Sequence, residues 1–163
     1  MTKPPLVSAY LHCDGEVDLT RAIDDIHASS SGLALPGLIA DGDRFVMDFR
    51  RFGRGDELRV GAYDIVEPAT GAVVVPGDLS LVLAALVAFD ASGARIGRGG
   101  GHYDRAFGPL RGETNRPLLV GVAFEFQRVG SIETRDHDVG MDVMITELGI
   151  RWTGAHPSTG TEG

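Results

Sequence analysis

Cysteine is almost absent from this chain, and its scarcity excludes several kinds of protein. Cys13 stands alone, so no internal disulfide can form and no cysteine-based metal cluster is available. At the end of an apolar segment, Cys13 is expected to be a small structural residue, not a nucleophile. Long apolar runs are also missing. None approaches the ~18 residues needed to span a bilayer, and the opening MTKPPLVSAYLHCDG lacks the basic head, apolar stretch and cleavage site of a secretory signal. A cytoplasmic protein with no membrane partner is therefore expected. Positive charge is scarce too: 15 Lys+Arg face 23 Asp+Glu, a net charge of −8, which argues against a nucleic-acid surface. Lys3 is the only lysine, so nearly every fixed cation is an arginine.

What remains is an ordinary globular composition: 163 residues, 43% hydrophobic and 23% charged. That length suits one core, so residues 1–152 are expected to form a single domain. Residues 153–163, polar with glycine and proline, are expected to be a disordered tail. The charge is uneven. Residues 44–59 carry five arginines against three acids, whereas residues 132–142 carry four acids against one arginine. A basic strip in an acidic chain reads either as a solvated face or as a place for a small anionic ligand.

Along the chain, residues 6–11 (LVSAYL) predict a short strand. Residues 18–30 predict a helix with Leu19, Ile23 and Ile26 on one face and Asp18 as N-cap. Residues 33–39 form an apolar run broken by Pro36. Residues 44–50 alternate Phe45, Met47 and Phe49 with polar neighbours, the period of a half-exposed strand. Residues 52–71, with four glycines and a proline, predict a long ordered loop. Residues 72–75 and 79–89 are strongly apolar, and the second run predicts a central strand covered on both faces. A helix is expected over 102–110, closed by Pro109, and further strands over 118–124, 143–146 and 148–152. Strands separated by helices and long crossovers define a layered α/β domain with a mostly parallel sheet. In such sheets ligands bind at the carboxyl ends of the strands.

One such end carries a distinctive loop. After the 79–89 run come Gly97, Gly99, Gly100 and Gly101, and then the helix at His102. Glycines let backbone N–H groups approach a phosphate, and a helix N-terminus adds free donors and partial positive charge. Arg95, Arg98 and Arg105 supply fixed charge. Asp104 places a carboxylate where a magnesium ion would join it to a phosphate. The loop lacks the closing Lys-Ser/Thr of a P-loop and the spacing of a dinucleotide motif.

It does resemble the signature of the 5-formyltetrahydrofolate cyclo-ligases: Ala88-Phe89-Asp90, Gly93, Arg95-Ile96-Gly97, Arg98, Gly99-Gly100-Gly101 and His102-Tyr103-Asp104. Four further segments follow the family's order. These are Tyr10 with Glu16-Val17-Asp18; Gly55-Asp56, Gly61, Tyr63 and Glu67-Pro68; residues 120–127 (VGVAFEFQ); and His137-Asp138 with Asp142 and Thr146-Glu147. The resemblance covers residues 6–150. Departures are His102 where the family has a tyrosine, Ala84-Ala85 where Val-Pro is common, and a start close to the first strand. With that start, the long basic N-terminal helix usual in the family is expected to be missing, unless Met1 is not the true start.

The resemblance implies a three-layer fold of the phosphosugar isomerase/CoA-transferase type, a mostly parallel sheet with helices on both faces. It also implies ATP-dependent closure of 5-formyltetrahydrofolate to 5,10-methenyltetrahydrofolate, with Mg2+, release of ADP and phosphate, and a monomer acting on a folate that carries one or several glutamates. Phosphoryl transfer of this kind needs positioning and charge neutralisation more than a protein nucleophile. By resemblance Arg95, Ile96, Gly97, Arg98, Gly99, Gly100, Gly101, His102 and Tyr103 line the ATP phosphates. Leu11 and Glu16 hold the pterin, with Arg98, Gly99, Gly100, Gly101 and His102 facing the folate as well. Asp104 and Asp138 match the magnesium positions, and Arg98 and Tyr103 are the catalytic candidates. His12, His27, His137 and His156 show no metal pattern, and His137 is expected to be structural. Arg44, Arg50, Arg51 and Arg54 are candidates for a glutamate tail. The alternative to an enzyme is a shortened relative that binds folate or nucleotide without turnover.

Overall fold

The computed structural model describes residues 4–154. In chain order its elements are β1 (Leu6–Ser8), α1 (Thr20–Ala28), β2 (Gly32–Asp41), β3 (Arg44–Arg51), β4 (Leu58–Val60), β5 (Val66–Pro68), β6 (Val73–Val74), β7 (Leu81–Ala85), β8 (Ala88–Phe89), β9 (Arg95–Ile96), α2 (His102–Phe107), β10 (Leu118–Val122), β11 (Val143–Thr146) and β12 (Gly149–Trp152). Eight strands make one sheet in the order β12-β11-β10-β7-β1-β2-β3-β6. The inner five, β11 to β2, are parallel, and β12, β3 and β6 add antiparallel edges.

Side-chain alternation builds a core on each face. From β7, Val82 and Ala84 join Leu6, Phe49, Leu119 and Met144 on one side, where α2 contributes Phe107 with Tyr103 and Ala106. Leu81, Leu83 and Ala85 point the other way, among Leu33, Leu35, Val120 and Val143, where α1 lays down Ile23 and Ile26 beside Leu19. The mostly parallel three-layer α/β arrangement with helices on both faces is the observed one. Each buried Val, Leu or Phe side chain contributes about 1.5–3 kcal/mol by leaving water.

Several local expectations need correction. The first helix starts at Thr20. Asp18 is not its N-cap but accepts the Thr20 N–H at 2.8 Å from one position further out. Residues 52–71 are not simply loop, because β4 and β5 pair as a hairpin within them. The 79–89 run is not one strand: β7 ends at Ala85, and β8 turns away to pair with β9. The α-helix expected over 102–110 ends at Phe107, and Pro109 sits in a one-turn 3-10 helix that completes the run. Cys13 is an exposed loop residue, so it has no packing role. Thr153, expected in a loose tail, donates its backbone N–H to the Asp142 carbonyl at 3.0 Å, while residues 155–163 lie outside the described residues.

Pro36 was expected to break its run, yet β2 passes straight through it. Even-numbered residues of β2 turn their backbone toward β1: the Gly32 N–H donates to the Pro5 carbonyl, and the Ala34 carbonyl accepts from the Ala9 N–H. Pairing with β1 ends at Ala34, so the N–H that proline lacks would have had no strand to meet. The next inward-turned donor, Leu38 N–H, is satisfied at 2.8 Å by the buried carboxylate of Glu67.

Candidate active site

A cleft of about 740 Å³ opens at the carboxyl ends of β1 and β7 and beside the middle of β2. One wall is the loop after β1, carrying Leu11, Cys13, Asp14 and Glu16. The glycine loop after β9 forms the facing wall, and the 126–138 segment closes one side. Every residue assigned by resemblance to ATP, substrate or metal lines this cleft.

The glycine loop is open to solvent at Arg98, Gly99 and Gly100. Two of its turns need glycine: Gly99 (φ 90°) and Gly101 (φ 62°) occupy the left-handed region that side chains rarely adopt. Gly100 is constrained differently, because a Cβ there would meet His102 Nε2 at 2.5 Å. His102 Nδ1 lies 3.0 Å from Arg105 Nη2, and a guanidinium can only donate, so Nδ1 accepts. Burial, and then the Arg105 charge, push the His102 pKa down. A neutral ring bonded in this way carries its proton on Nε2, facing the loop.

Beneath the loop, Arg95 is nearly buried, its side chain 7% exposed. Its Nη2 donates to Asp104 Oδ1 at 3.0 Å, and its guanidinium stands 5.5 Å from the Tyr103 ring centre. Arg95 Nε is buried with no hydrogen-bond partner, an unsatisfied donor on the cleft wall. Asp104 Oδ1 also accepts the Val139 N–H at 2.9 Å, which ties α2 to the 126–138 segment and its continuation. Asp138, on that segment, accepts the Arg135 N–H. Two carboxylates facing one cleft are what a magnesium ion takes from a protein, its other ligands being water and phosphate oxygens. Among the described residues no three His, Cys, Asp or Glu side chains gather into a complete cage.

Tyr103 stacks on Phe107, with ring centres 6.2 Å apart. Burial pushes its hydroxyl pKa up to about 12, so it is a neutral proton donor at physiological pH. Across the cleft, the Glu16 side chain is 19% exposed and Oε2 accepts the Cys13 N–H at 3.0 Å, leaving Oε1 toward the opening. Behind it, Tyr10 OH donates to the Val17 carbonyl at 2.9 Å.

Some expectations are redirected. His137 is not structural packing: its side chain is 67% exposed, and Nε2 lies 3.5 Å from Asp138 Oδ1. His156 lies outside the described residues. Arg44, Arg50, Arg51 and Arg54 do not line the cleft. Three of them pair locally or across loops, with Asp41, Asp48 and Asp24.

The sequence reading passed over other groups. Asp90 of the Phe-Asp motif is a buried turn organiser, accepting from Ser92, Ala94 and Ile132. Gln127 donates to the Leu86 and Val87 carbonyls and accepts the Phe124 N–H, fixing the turn that presents exposed Phe126 to the cleft. Asp14 was passed over entirely. Its signal was local: an Asp-Gly turn two residues before Glu16.

A mostly parallel α/β sheet with a glycine loop, arginines and two carboxylates around one cleft places the chain among enzymes of the layered α/β class. The family described as 5-formyltetrahydrofolate cyclo-ligase matches residues 1–147, and the chain belongs to that family. It is 28% identical to the 5-formyltetrahydrofolate cyclo-ligase of Haemophilus influenzae over 85% of this chain and 74% of that protein. It is 29% identical to the Escherichia coli K12 protein of the same name, over 90% and 82%. Among solved structures, the 5,10-methenyltetrahydrofolate synthetase of Aquifex aeolicus superposes with a TM-score of 0.74 at 31% identity, covering 98% of this chain and 76% of that one.

Proposed function

We propose that this chain closes 5-formyltetrahydrofolate to 5,10-methenyltetrahydrofolate using ATP and Mg2+, releasing ADP and phosphate. The observation that carries the reading is the gathering of an open glycine loop, Arg98, Asp104, Asp138 and Glu16 around one cleft. The formyl oxygen attacks the γ-phosphoryl group and ADP leaves. N10 then attacks the activated carbon and gives up its proton, and phosphate departs with that oxygen. The amides of residues 97–101 and the Arg98 guanidinium hold and neutralise the transferring phosphoryl group. Asp104 and Asp138 hold Mg2+, which when bound offsets phosphate charge. Leu11 and Glu16 hold the pterin, the carboxylate accepting from its amino and ring N–H donors. His102 donates from Nε2, and Tyr103 keeps its proton. The nearly buried Arg95 supports the loop from below through Asp104, while Ile96 lines the nucleotide side. We take the protein to be a cytoplasmic monomer working on small molecules, with no nucleic-acid or membrane partner; among the described residues no helix is long and apolar enough to cross a membrane.

Purified chain incubated with MgATP and 5-formyltetrahydrofolate is expected to give the methenyl absorbance with one ADP per product. Folate binding seen by heat shift without any product would overturn turnover and leave a binding protein.

A further inference from the structure

Two loops distant in sequence meet across the cleft mouth through one guanidinium. Arg98 Nη1 donates to Asp14 Oδ2 at 2.9 Å, and Nη2 lies 3.5 Å from Glu16 Oε1. The turn around Asp14 is built to present it. Asp14 itself holds φ 48° and Gly15 φ 81°, left-handed values that are costly for a non-glycine residue. The Glu16 N–H closes the turn on the Cys13 carbonyl at 3.0 Å, and the Cys13 N–H returns to Glu16 Oε2. Asp14 is thereby held out over the cleft, 76% exposed, with Arg98 as its ion-pair partner. The same guanidinium belongs to the glycine loop assigned above to phosphate, and the same Glu16 to the pterin.

We propose that Asp14 is a positioning residue. Its carboxylate latches Arg98 against Glu16 and so couples the binding of nucleotide to the binding of folate. The inference rests on the assignment of the two subsites made above. A phosphate that takes Arg98 must break its contacts with Asp14 and Glu16, which frees Glu16 Oε1 for the pterin. A folate that takes Glu16 loosens Arg98 in the same way. The first ligand opens the latch and the second finds it open, and by linkage the effect is equal in both directions. An exposed ion pair of this kind is worth a factor of about two to five in an equilibrium constant. Because both partners are exposed, the effect shrinks as salt rises.

Calorimetry tests the idea with a non-hydrolysable ATP analogue plus Mg2+ and with 5-formyltetrahydrofolate, each alone and in the presence of the other. Wild type is expected to show each ligand tightening the other about two- to fivefold, less at 0.5 M than at 0.05 M NaCl, following the shorter screening length. Asp14→Asn keeps the turn, since asparagine tolerates left-handed φ. It is expected to bind the analogue alone about two- to fivefold more tightly, and to show weaker coupling because Arg98 is no longer held against Glu16. Asp14→Gly removes the charge and relieves the backbone, and is expected to behave alike. Wild-type coupling retained in both variants, or weaker analogue binding in both, overturns the latch alone. A wild-type chain that binds no analogue overturns the nucleotide reading and the latch together.

Discussion

Two arginine–carboxylate contacts in this protein share their chemistry and differ in burial. Arg116 clasps Asp142 through both nitrogens at 2.8 and 2.7 Å, with the arginine side chain 11% exposed and the aspartate 0%. Asp142 also accepts the Leu119 N–H, which locks the strand end of β10 to the segment before β11. Arg98 meets Asp14 at a similar distance, 2.9 Å, but at 52% and 76% exposure. The buried pair cannot exchange its partners for water or ligand without stranding a charge, so it serves the fold. The open pair can be traded for a phosphate at little cost, so it is available to the ligand. Asp14 lies in a short polar stretch and Asp142 between Met141 and Val143. Where each lies in the sheet decides what it does.

Substitutions separate the two roles, the most damaging first. Asp142→Ala leaves the Arg116 charge buried and is expected to lower unfolding stability by about 3–5 kcal/mol, read as a shift in the urea midpoint; a loss under 1 kcal/mol would contradict a fold-bearing pair. Asp104→Asn keeps an oxygen for the Val139 N–H but removes the negative charge facing the cleft. It is expected to cut kcat about a hundredfold and also to lower the melting temperature, because the nearly buried Arg95 loses its counter-charge; steady-state kinetics beside a thermal melt check both halves. Gly100→Ala drives a methyl group into His102 Nε2 and should raise the KM for ATP about tenfold while leaving stability nearly unchanged.

Asp90 gives a pH test on the buried side of the comparison. Burial pushes its carboxyl up, but hydrogen bonds from Ser92, Ile132 and Ala94 outweigh that and hold it below the usual range. A depressed folded value means the stabilisation is fully present above the unfolded value of about 3.9 and is lost as pH falls through the lower folded value. Asp90→Asn is therefore expected to be about 1–3 kcal/mol less stable at pH 7, and the gap should narrow below pH 4 in melts across pH 2.5–7. The smallest effects belong outside the cleft. Arg50→Ala and Arg51→Ala should leave the ratio of mono- to polyglutamyl substrate affinities unchanged. Arg44→Ala, which removes a surface pair with Asp41, should move stability by no more than about 0.5 kcal/mol.

Much of the site was legible because its backbone demands leave marks in sequence. Residues 97–101 must be small where Gly99 and Gly101 turn left-handed and where His102 lies over Gly100, and such a cluster between a strand and a helix has few other uses. The sheet was legible for a similar reason: β10 and β11, with cores on both faces, read as nearly unbroken apolar runs. What escaped was set by contacts remote in the chain. Pro36 looked like a breaker because the end of β1 beside it is invisible locally. The 79–89 run looked like one strand because apolar residues serve equally in β7 and in the β8–β9 hairpin. Cys13 looked structural because its small size says nothing of the turn that exposes it.

The amino-acid order alone determined the α/β class and the position of the glycine loop and of the carboxylates proposed to serve it, since turn geometry, side-chain alternation and charge are local properties. Tertiary structure decided which arginine is buried beneath the loop and which reaches over the cleft, and it brought Asp14 to Arg98 across 84 residues of chain. Partnership at such separations depends on how the strands are ordered in the sheet, and sheet order is fixed by packing between segments that no short stretch of sequence contains.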